Sequence, residues 1–189
     1  MRFPHSLRRL LPVLVLLFAT RPADAARLEL DPARSRVEFA VRATVDSFTG
    51  QLRKHETEIV LGPGGEVTGA RFRFQCADLV TGKDARDEAM QRWLESAAHP
   101  TVEFILDQLE AGGGEGGGWL AKGRLRLHGV ERSLWFPVKV TAEGPERVIA
   151  GEATLDTREH GLPVIRMLGL LKVDPLVRVK FELRGRVAS

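Results

Sequence analysis

The chain has only one cysteine, Cys76, among its 189 residues. A single thiol cannot form an internal disulfide, so the fold depends on a hydrophobic core, for which the chain is long enough. Cys76 follows Phe72 and Phe74 at every second position, on the apolar side of a predicted strand. We therefore expect a buried, chemically inert thiol rather than a nucleophile or redox group.

The chain also lacks a long apolar run near its start, because the run at residues 10–19 is too short to cross a bilayer. Spanning a bilayer takes about 20 apolar residues. Three arginines precede the run, and the small-x-small sequence at residues 23–25 follows it. This order is typical of a secretory signal peptide. We predict cleavage after Ala25, a periplasmic or secreted protein, and one domain over residues 26–189.

The chain also lacks an excess of charge once this segment is removed. It carries 28 basic and 25 acidic residues, but residues 1–25 hold four arginines and one aspartate, so the charges of the remainder balance. A basic surface for binding nucleic acid is therefore not expected.

Motifs for catalysis and metal binding are missing as well. After residue 25 the histidines are His55, His99, His128 and His160, and no two stand at a metal-ligand spacing such as HxxxH. No serine lies in a nucleophile-elbow sequence, and the glycine-rich run at 112–118 lacks the lysine and serine of a phosphate loop. We predict no catalytic residue, no metal and no cofactor, and a flexible hairpin loop at the glycine run. His128 and His160 are expected at the surface.

Period-two alternation of apolar and polar residues dominates the rest of the chain. The clearest example is residues 177–187, where Val, Phe and Leu alternate with Arg, Lys and Glu. About eight such segments, joined by short turns, indicate strands with one apolar face and no crossover helices. We predict an all-β fold, an eight-stranded antiparallel barrel, because closure removes the exposed sheet edges.

One segment, at about residues 83–98, has a helical pattern instead. Met90, Trp93, Leu94 and Ala97 fall on one apolar stripe. We expect Asp84 with Asp87 to cap the start of the helix, and His99-Pro100 to end it. Adjacent helical residues point about 100° apart, so Arg86 and Asp87 are interpreted as anchors of the helix rather than as a catalytic pair.

These elements resemble the YceI-like family across nearly all of the chain after the signal. The matching sequences are Asp31-x-x-x-Ser35-x-Val37-x-Phe39-x-Val41, Phe48-Thr49-Gly50, Arg86-Asp87, His99-Pro100-x-x-x-Phe104, Gly123-x-Leu125-x-Leu127-x-Gly129-Val130, and Thr157-Arg158 to Gly161. The resemblance implies an exported lipocalin-like barrel that binds a polyisoprenoid lipid. Arg34 and Arg42 stand where the family often has histidines, so any role of those imidazoles does not carry over.

We therefore expect a non-enzymatic carrier that binds a long apolar lipid, polyisoprenoid or quinone-like, inside the barrel. The expected ligand-binding residues point inward or cover the barrel from the helix: Phe39, Val41, His55, Phe72, Phe74, Met90, Trp93, Phe104, Leu125, Leu127, Phe136, Val138, Phe181 and Leu183. Residues 161–175 are more apolar than a turn requires, which favours either a loop over the barrel end or a transient membrane contact.

Two alternatives remain open at this level. One is a metal-binding, haem-binding or enzymatic barrel that uses His55. The other is a ligand-free envelope protein that works through its surface, for example through Trp135. An isoprenoid-type lipid is the expected partner, a homodimer is left open, and nucleic acid is not expected.

Overall fold

Twelve strands and one α-helix make up most of residues 26–112, 118–167 and 171–188, which the computed structural model describes. The strands are β1 (Ala26–Leu30), β2 (Arg36–Ala43), β3 (Phe48–Leu52), β4 (Glu56–Leu61), β5 (Val67–Gln75), β6 (Leu79–Val80), β7 (Thr101–Ala111), β8 (Trp119–Leu127), β9 (Val130–Glu143), β10 (Glu146–Asp156), β11 (Arg166–Met167) and β12 (Leu171–Val187). The helix is α1 (Asp84–Trp93), and short 3-10 turns occupy Cys76–Asp78 and Thr157–His160. The predicted signal peptide and residues 113–117 of the glycine run lie outside the described residues.

Eight strands close into an antiparallel barrel. They pair in the order β1, β4, β5, β7, β8, β9, β10 and β12, and β12 pairs back with β1. Strand β2 follows β1 along the same edge of β12, and β3 and β6 extend the sheet from β2. The predicted eight-stranded antiparallel barrel is confirmed.

The alternation in sequence becomes an alternation in burial. Along β8, Ala121, Leu125 and Leu127 are buried, whereas Arg124 and Arg126 between them are exposed. Side chains of successive strand residues point to opposite faces, so each apolar series faces the barrel interior. The arginines and their acidic partners consequently cover the outer surface.

Helix α1 is shorter than the pattern predicts, because it ends at Trp93 and not near residue 98. Glu95 adopts a left-handed conformation with φ of 49°, which turns the chain out of the helix before Pro100 is reached. The predicted N-terminal cap is also wrong, since Lys83 occupies the cap position without a side-chain hydrogen bond. In the described part of the chain, no helix is both long and apolar enough to cross a bilayer.

A cluster of buried residues lies under α1, at one end of the barrel. It contains Cys76, Leu94, Val102, Leu125, Leu127 and Leu162. Cys76 is buried as predicted, and burial raises the pKa of its thiol, which disfavours a reactive thiolate. Leu162 belongs to residues 161–167, so this segment folds over the barrel end and contributes to the core there.

Candidate functional site: an apolar cavity in the barrel

The barrel encloses a cavity of about 260 Å³. Twelve of the fourteen residues expected to bind ligand lie on its wall, and they come from the strands and from α1: Phe39, Phe72, Phe74, Met90, Trp93, Phe104, Leu125, Leu127, Phe136, Val138, Phe181 and Leu183. They meet there because the inward face of each strand carries the apolar half of its alternation.

The other two expected residues, Val41 and His55, do not line this cavity. Val41 lies near the end of β2 and lines a separate surface pocket with Phe48 and Leu176. Val41 has the same inward parity as Phe39 and is only 9% exposed. Its cross-strand partner Val177 lines the cavity, so the position of Val41 along the strand, and not its parity, leaves it off the wall.

His55 sits between β3 and β4, beside the cavity wall rather than on it. Its Nδ1 is 2.7 Å from the hydroxyl oxygen of Thr57, and its ring lies 5.0 Å from the ring of Phe72. Burial lowers the pKa of His55 below its ordinary value, because an apolar environment disfavours the imidazolium. The neutral ring therefore packs against Phe72 and presents no nitrogen to the cavity, so the geometry does not support an enzymatic or metal-binding role for His55 inside the cavity.

Several wall residues lie on predicted apolar strand faces but are not among the fourteen expected ligand contacts. Examples are Ile59, Val102, Ile149, Ala153 and Val179. Their alternation was visible in the sequence, so strand parity alone could have identified them. What the sequence does not show is how far each one lies along the barrel axis.

Three of the inward phenylalanine rings lie close against glycines. A Cβ atom at Gly50 would lie 2.2 Å from Phe39 Cζ, one at Gly123 2.5 Å from Phe104 Cζ, and one at Gly151 2.7 Å from Phe181 Cζ. Gly50 and Gly151 are also the direct cross-strand partners of their rings. The missing side chains let the rings lie back against the wall, which helps to keep the centre of the barrel open.

Among the described residues, only three polar side chains reach the cavity wall, and each has a partner. Thr57 contacts His55, and the hydroxyl of Thr157 donates to the carbonyl oxygen of Pro175 at 3.1 Å. Arg71 directs its guanidinium outward, with 55% of its side chain exposed and its Nε 3.5 Å from Glu103. The cavity thus offers carbon surface and no charged group, which suits an apolar ligand and not a polar one.

Helix α1 covers one opening of the cavity. Met90, Trp93 and Leu94 all reach the wall, whereas Ala97, beyond the end of the helix, is exposed. The indole nitrogen of Trp93 donates a hydrogen bond of 2.9 Å to the carbonyl oxygen of Pro163. The helix and residues 161–167 are thereby joined over the same opening.

Arg86 and Asp87, the predicted anchors, hold the start of α1 in place. Asp87 accepts hydrogen bonds from the backbone nitrogen and the hydroxyl of Thr81, at 2.8 and 2.6 Å. Arg86 donates to Asp46 at 2.9 Å, and its guanidinium lies 4.3 Å from the centre of the Phe48 ring. The two side chains make separate contacts, as expected from their divergent directions on the helix.

Comparison with known proteins gives structural relatives for this arrangement. BcnA from Burkholderia cenocepacia aligns with a TM-score of 0.72 and 17% identity, over 83% of this chain and 99% of that one. A polyisoprenoid binding domain from Saccharophagus degradans, implicated in plant cell wall breakdown, aligns with a TM-score of 0.61 and 17% identity, over 87% and 99%. The YceI protein of Campylobacter jejuni aligns with a TM-score of 0.64 and 11% identity, over 77% and 88%.

At these identities the structural matches establish the fold. No curated protein sequence matches the chain. The fold and the site together define a small antiparallel β-barrel that encloses an apolar cavity under a helix. The sequence profile of the YceI-like domain matches residues 28–185, and the chain belongs to that family.

Proposed function

We propose that the protein binds a long apolar lipid of the isoprenoid type within the barrel and carries it in the cell envelope. The observation that supports this most strongly is the cavity of about 260 Å³, on whose wall no described residue has an unpartnered polar side chain. Membership of the YceI-like family and the fold shared with a polyisoprenoid binding domain support a lipid-binding role rather than a catalytic one.

The size of the cavity limits how much lipid it holds. Its volume is just below the range of about 300–1,000 Å³ that is usual for pockets of drug-sized ligands. The cavity therefore accepts a few isoprene units, and a longer chain extends through an opening or displaces the flexible Met90 side chain.

A few units are enough for useful affinity. Each buried methylene contributes about 0.8 kcal/mol, so one five-carbon unit contributes roughly 4 kcal/mol. Three units offset several kcal/mol of association cost and leave about 8 kcal/mol, which corresponds to a micromolar dissociation constant. Specificity for isoprenoids then depends on the shape of the wall, since no polar headgroup is recognised inside.

The cavity also weighs against a ligand-free role, because a barrel that works only through its surface needs no open interior. We further propose that the barrel end bearing residues 161–167 and 171–175 faces the membrane that supplies the lipid; residues 168–170 of this predicted segment lie outside the described residues. Exposed apolar side chains cluster near it: Val45 and Leu176 are 74% and 44% exposed, and the neighbouring Thr44 bonds to the carbonyl oxygen of Lys172. The envelope location rests on the sequence pattern of residues 1–25.

Extraction of the protein as purified from its producing cells, without detergent, tests this function. Mass spectrometry of the organic extract should detect one isoprenoid lipid at close to one molecule per protein, and geranylgeraniol should bind saturably to lipid-free protein. If the extract contains no lipid and geranylgeraniol does not bind, the carrier function is wrong.

A further inference from the structure

Three metal-ligating side chains meet outside the cavity, where the chain leaves α1. Glu95 and His99 lie four residues apart after the helix, and His128 comes from the turn between β8 and β9. One donor atom of each lies within 4.8 Å of the donors of the other two. The His99 and His128 rings are 4.5 Å apart between centroids. None of the three lines the lipid cavity.

The hydrogen bonds of His128 fix which of its nitrogens carries the proton. Its Nδ1 lies 3.2 Å from the carbonyl oxygen of His160, and a carbonyl only accepts, so Nδ1 is the donor. In the neutral ring, Nε2 then presents a lone pair. This Nε2 atom is buried and has no hydrogen-bond partner in residues 26–112, 118–167 and 171–188.

The carboxylate of Glu95 lies close to that lone pair. Its Oε2 is 3.3 Å from His128 Nε2, but the approach does not have hydrogen-bond geometry. A carboxylate oxygen and an imidazole lone pair are both acceptors, so the two atoms repel unless a cation lies between them. The arrangement is therefore incomplete without a positively charged group.

His160 supplies the outer support that metal-ligating histidines usually have. It is only 3% exposed, so its predicted place at the surface is wrong. Its Nδ1 bonds to the carbonyl oxygen of Val130 at 3.0 Å, while its own carbonyl oxygen holds His128. A ligand histidine that donates its second ring nitrogen to a backbone carbonyl is kept in one tautomer and one orientation.

The backbone brings the donors together at some cost. Glu95 and His128 both adopt left-handed conformations, with φ of 49° and 52°, which residues other than glycine rarely adopt. The next residue, Gly129, has φ of 72°, and a Cβ atom there would lie 3.1 Å from two atoms of the His99 ring. The turn thus leaves space for the His99 ring beside His128.

We propose that Glu95, His99 and His128 bind a divalent transition metal, for which Zn²⁺ is the natural probe. Two imidazoles and a carboxylate, without a thiolate, suit Zn²⁺ and its neighbours in the first transition row. Donors about 2.0–2.1 Å from a tetrahedral Zn²⁺ stand roughly 3.4 Å apart, close to the 3.3 Å between His128 and Glu95. The Glu95 side chain is 63% exposed and is free to rotate toward His99.

Such a metal would strengthen the cover of the barrel. It would join the segment after α1 to the turn between β8 and β9, and through His160 to the 3-10 turn that follows β10. Three protein ligands leave one tetrahedral position for water or a further ligand. Because the donors lie outside the cavity wall, this site is independent of whether the barrel holds lipid.

Calorimetric titration of Zn²⁺ into tag-free, chelator-treated protein tests the proposal. We expect saturable binding of one equivalent, and visible absorption bands of tetrahedral Co²⁺ when Co²⁺ replaces Zn²⁺. Glu95→Gln, an exposed and conservative change, and His99→Gln should each weaken binding by more than the roughly 10–100-fold that loss of an outer partner costs.

His55→Gln is the matched control, because this histidine lies apart from the three donors and its loss should leave Zn²⁺ affinity unchanged. Circular dichroism spectra like that of the unmodified protein would show that the variants are folded. The proposal is overturned if the unmodified protein binds no Zn²⁺, the result expected if a proton on His128 simply balances Glu95. It is equally overturned if the Glu95→Gln/His99→Gln double variant binds Zn²⁺ as tightly as the unmodified protein.

Discussion

Adjacent aromatic residues on β9 provide a matched pair for testing which face of the strand is the barrel interior. Phe136 is buried with 8% of its surface exposed, whereas Trp135 is 68% exposed on the opposite face. The Phe136 ring lies 5.4 Å from that of Phe104 and 5.7 Å from that of Phe181. Phe136→Ala removes both ring contacts, while Trp135→Ala removes a larger side chain that contributes little to the core.

The expected loss of stability follows from these contacts. Burying a phenylalanine contributes about 1.5–3 kcal/mol, and each aromatic pair adds about 0.5–1.5 kcal/mol. Core Phe→Ala changes cost about 3–5 kcal/mol, and the lower part of that range applies because one side of the Phe136 ring faces the cavity and lacks packing partners. We therefore expect a loss of about 3 kcal/mol for Phe136→Ala, and less than about 1 kcal/mol for Trp135→Ala.

Urea unfolding followed by circular dichroism measures both values without relying on tryptophan fluorescence. The free energy of unfolding of each variant is compared with that of the unmodified protein. The slope of this free energy with urea concentration should be unchanged. Equal losses for the two variants, or a larger loss for Trp135→Ala, would refute the assignment of the two faces of β9.

Three further predictions concern the helix anchor, the cover and pH. Asp87→Ala should lower the free energy of unfolding by about 1–3 kcal/mol, because the Asp87 carboxylate accepts two hydrogen bonds from Thr81. Asp84→Ala, in the same helical turn, should lower it by less than about 1 kcal/mol. Equal urea midpoints for the two variants would contradict this. Trp93→Phe keeps a ring but loses the 2.9 Å hydrogen bond to the carbonyl oxygen of Pro163, which is worth about 1 kcal/mol. Geranylgeraniol should therefore dissociate up to about fivefold faster in stopped-flow exchange. An unchanged rate would argue against α1 as a cover of the cavity. Burial lowers the pKa of His55 from 6.5, so its contribution to the free energy of unfolding is fully present above pH 6.5 and is lost as the pH falls through the lowered pKa. His55→Gln should therefore lose less stability than the unmodified protein between about pH 7.5 and pH 5. Parallel losses would count against the burial of the neutral ring.

The barrel could be predicted from the sequence because strand faces are a local property. A residue's parity decides whether it points inward, so Phe136 and Trp135 could be assigned to opposite faces without any knowledge of their partners. The same rule places the phenylalanines of five strands on one wall. Val41 obeys the same rule and is buried, but its position along the barrel is not a local property, and it lines a surface pocket instead of the cavity.

The end of the helix and the histidine cluster were beyond local reasoning. The apolar stripe continues to Ala97, but Glu95 leaves the helix in a left-handed conformation, and Ala97 is exposed. Glu95 precedes His99 by four residues, but nothing in the sequence indicates that a turn 29 residues after His99 brings His128 beside them. Such a site forms through tertiary contacts, which no spacing rule describes.

The proposed function requires that an apolar chain occupies the cavity, and a pair of neighbouring substitutions on β10 tests this most directly. Ala153 lines the cavity and is 6% exposed, whereas Thr154 beside it is exposed on the outer face. The measurement is the affinity of geranylgeraniol for folded Ala153→Phe and Thr154→Phe proteins. We predict that the ring at position 153 fills the cavity and lowers affinity at least about tenfold, the effect of 1.4 kcal/mol, while the ring at position 154 leaves it unchanged. Equal affinities for the two variants would contradict binding inside the barrel.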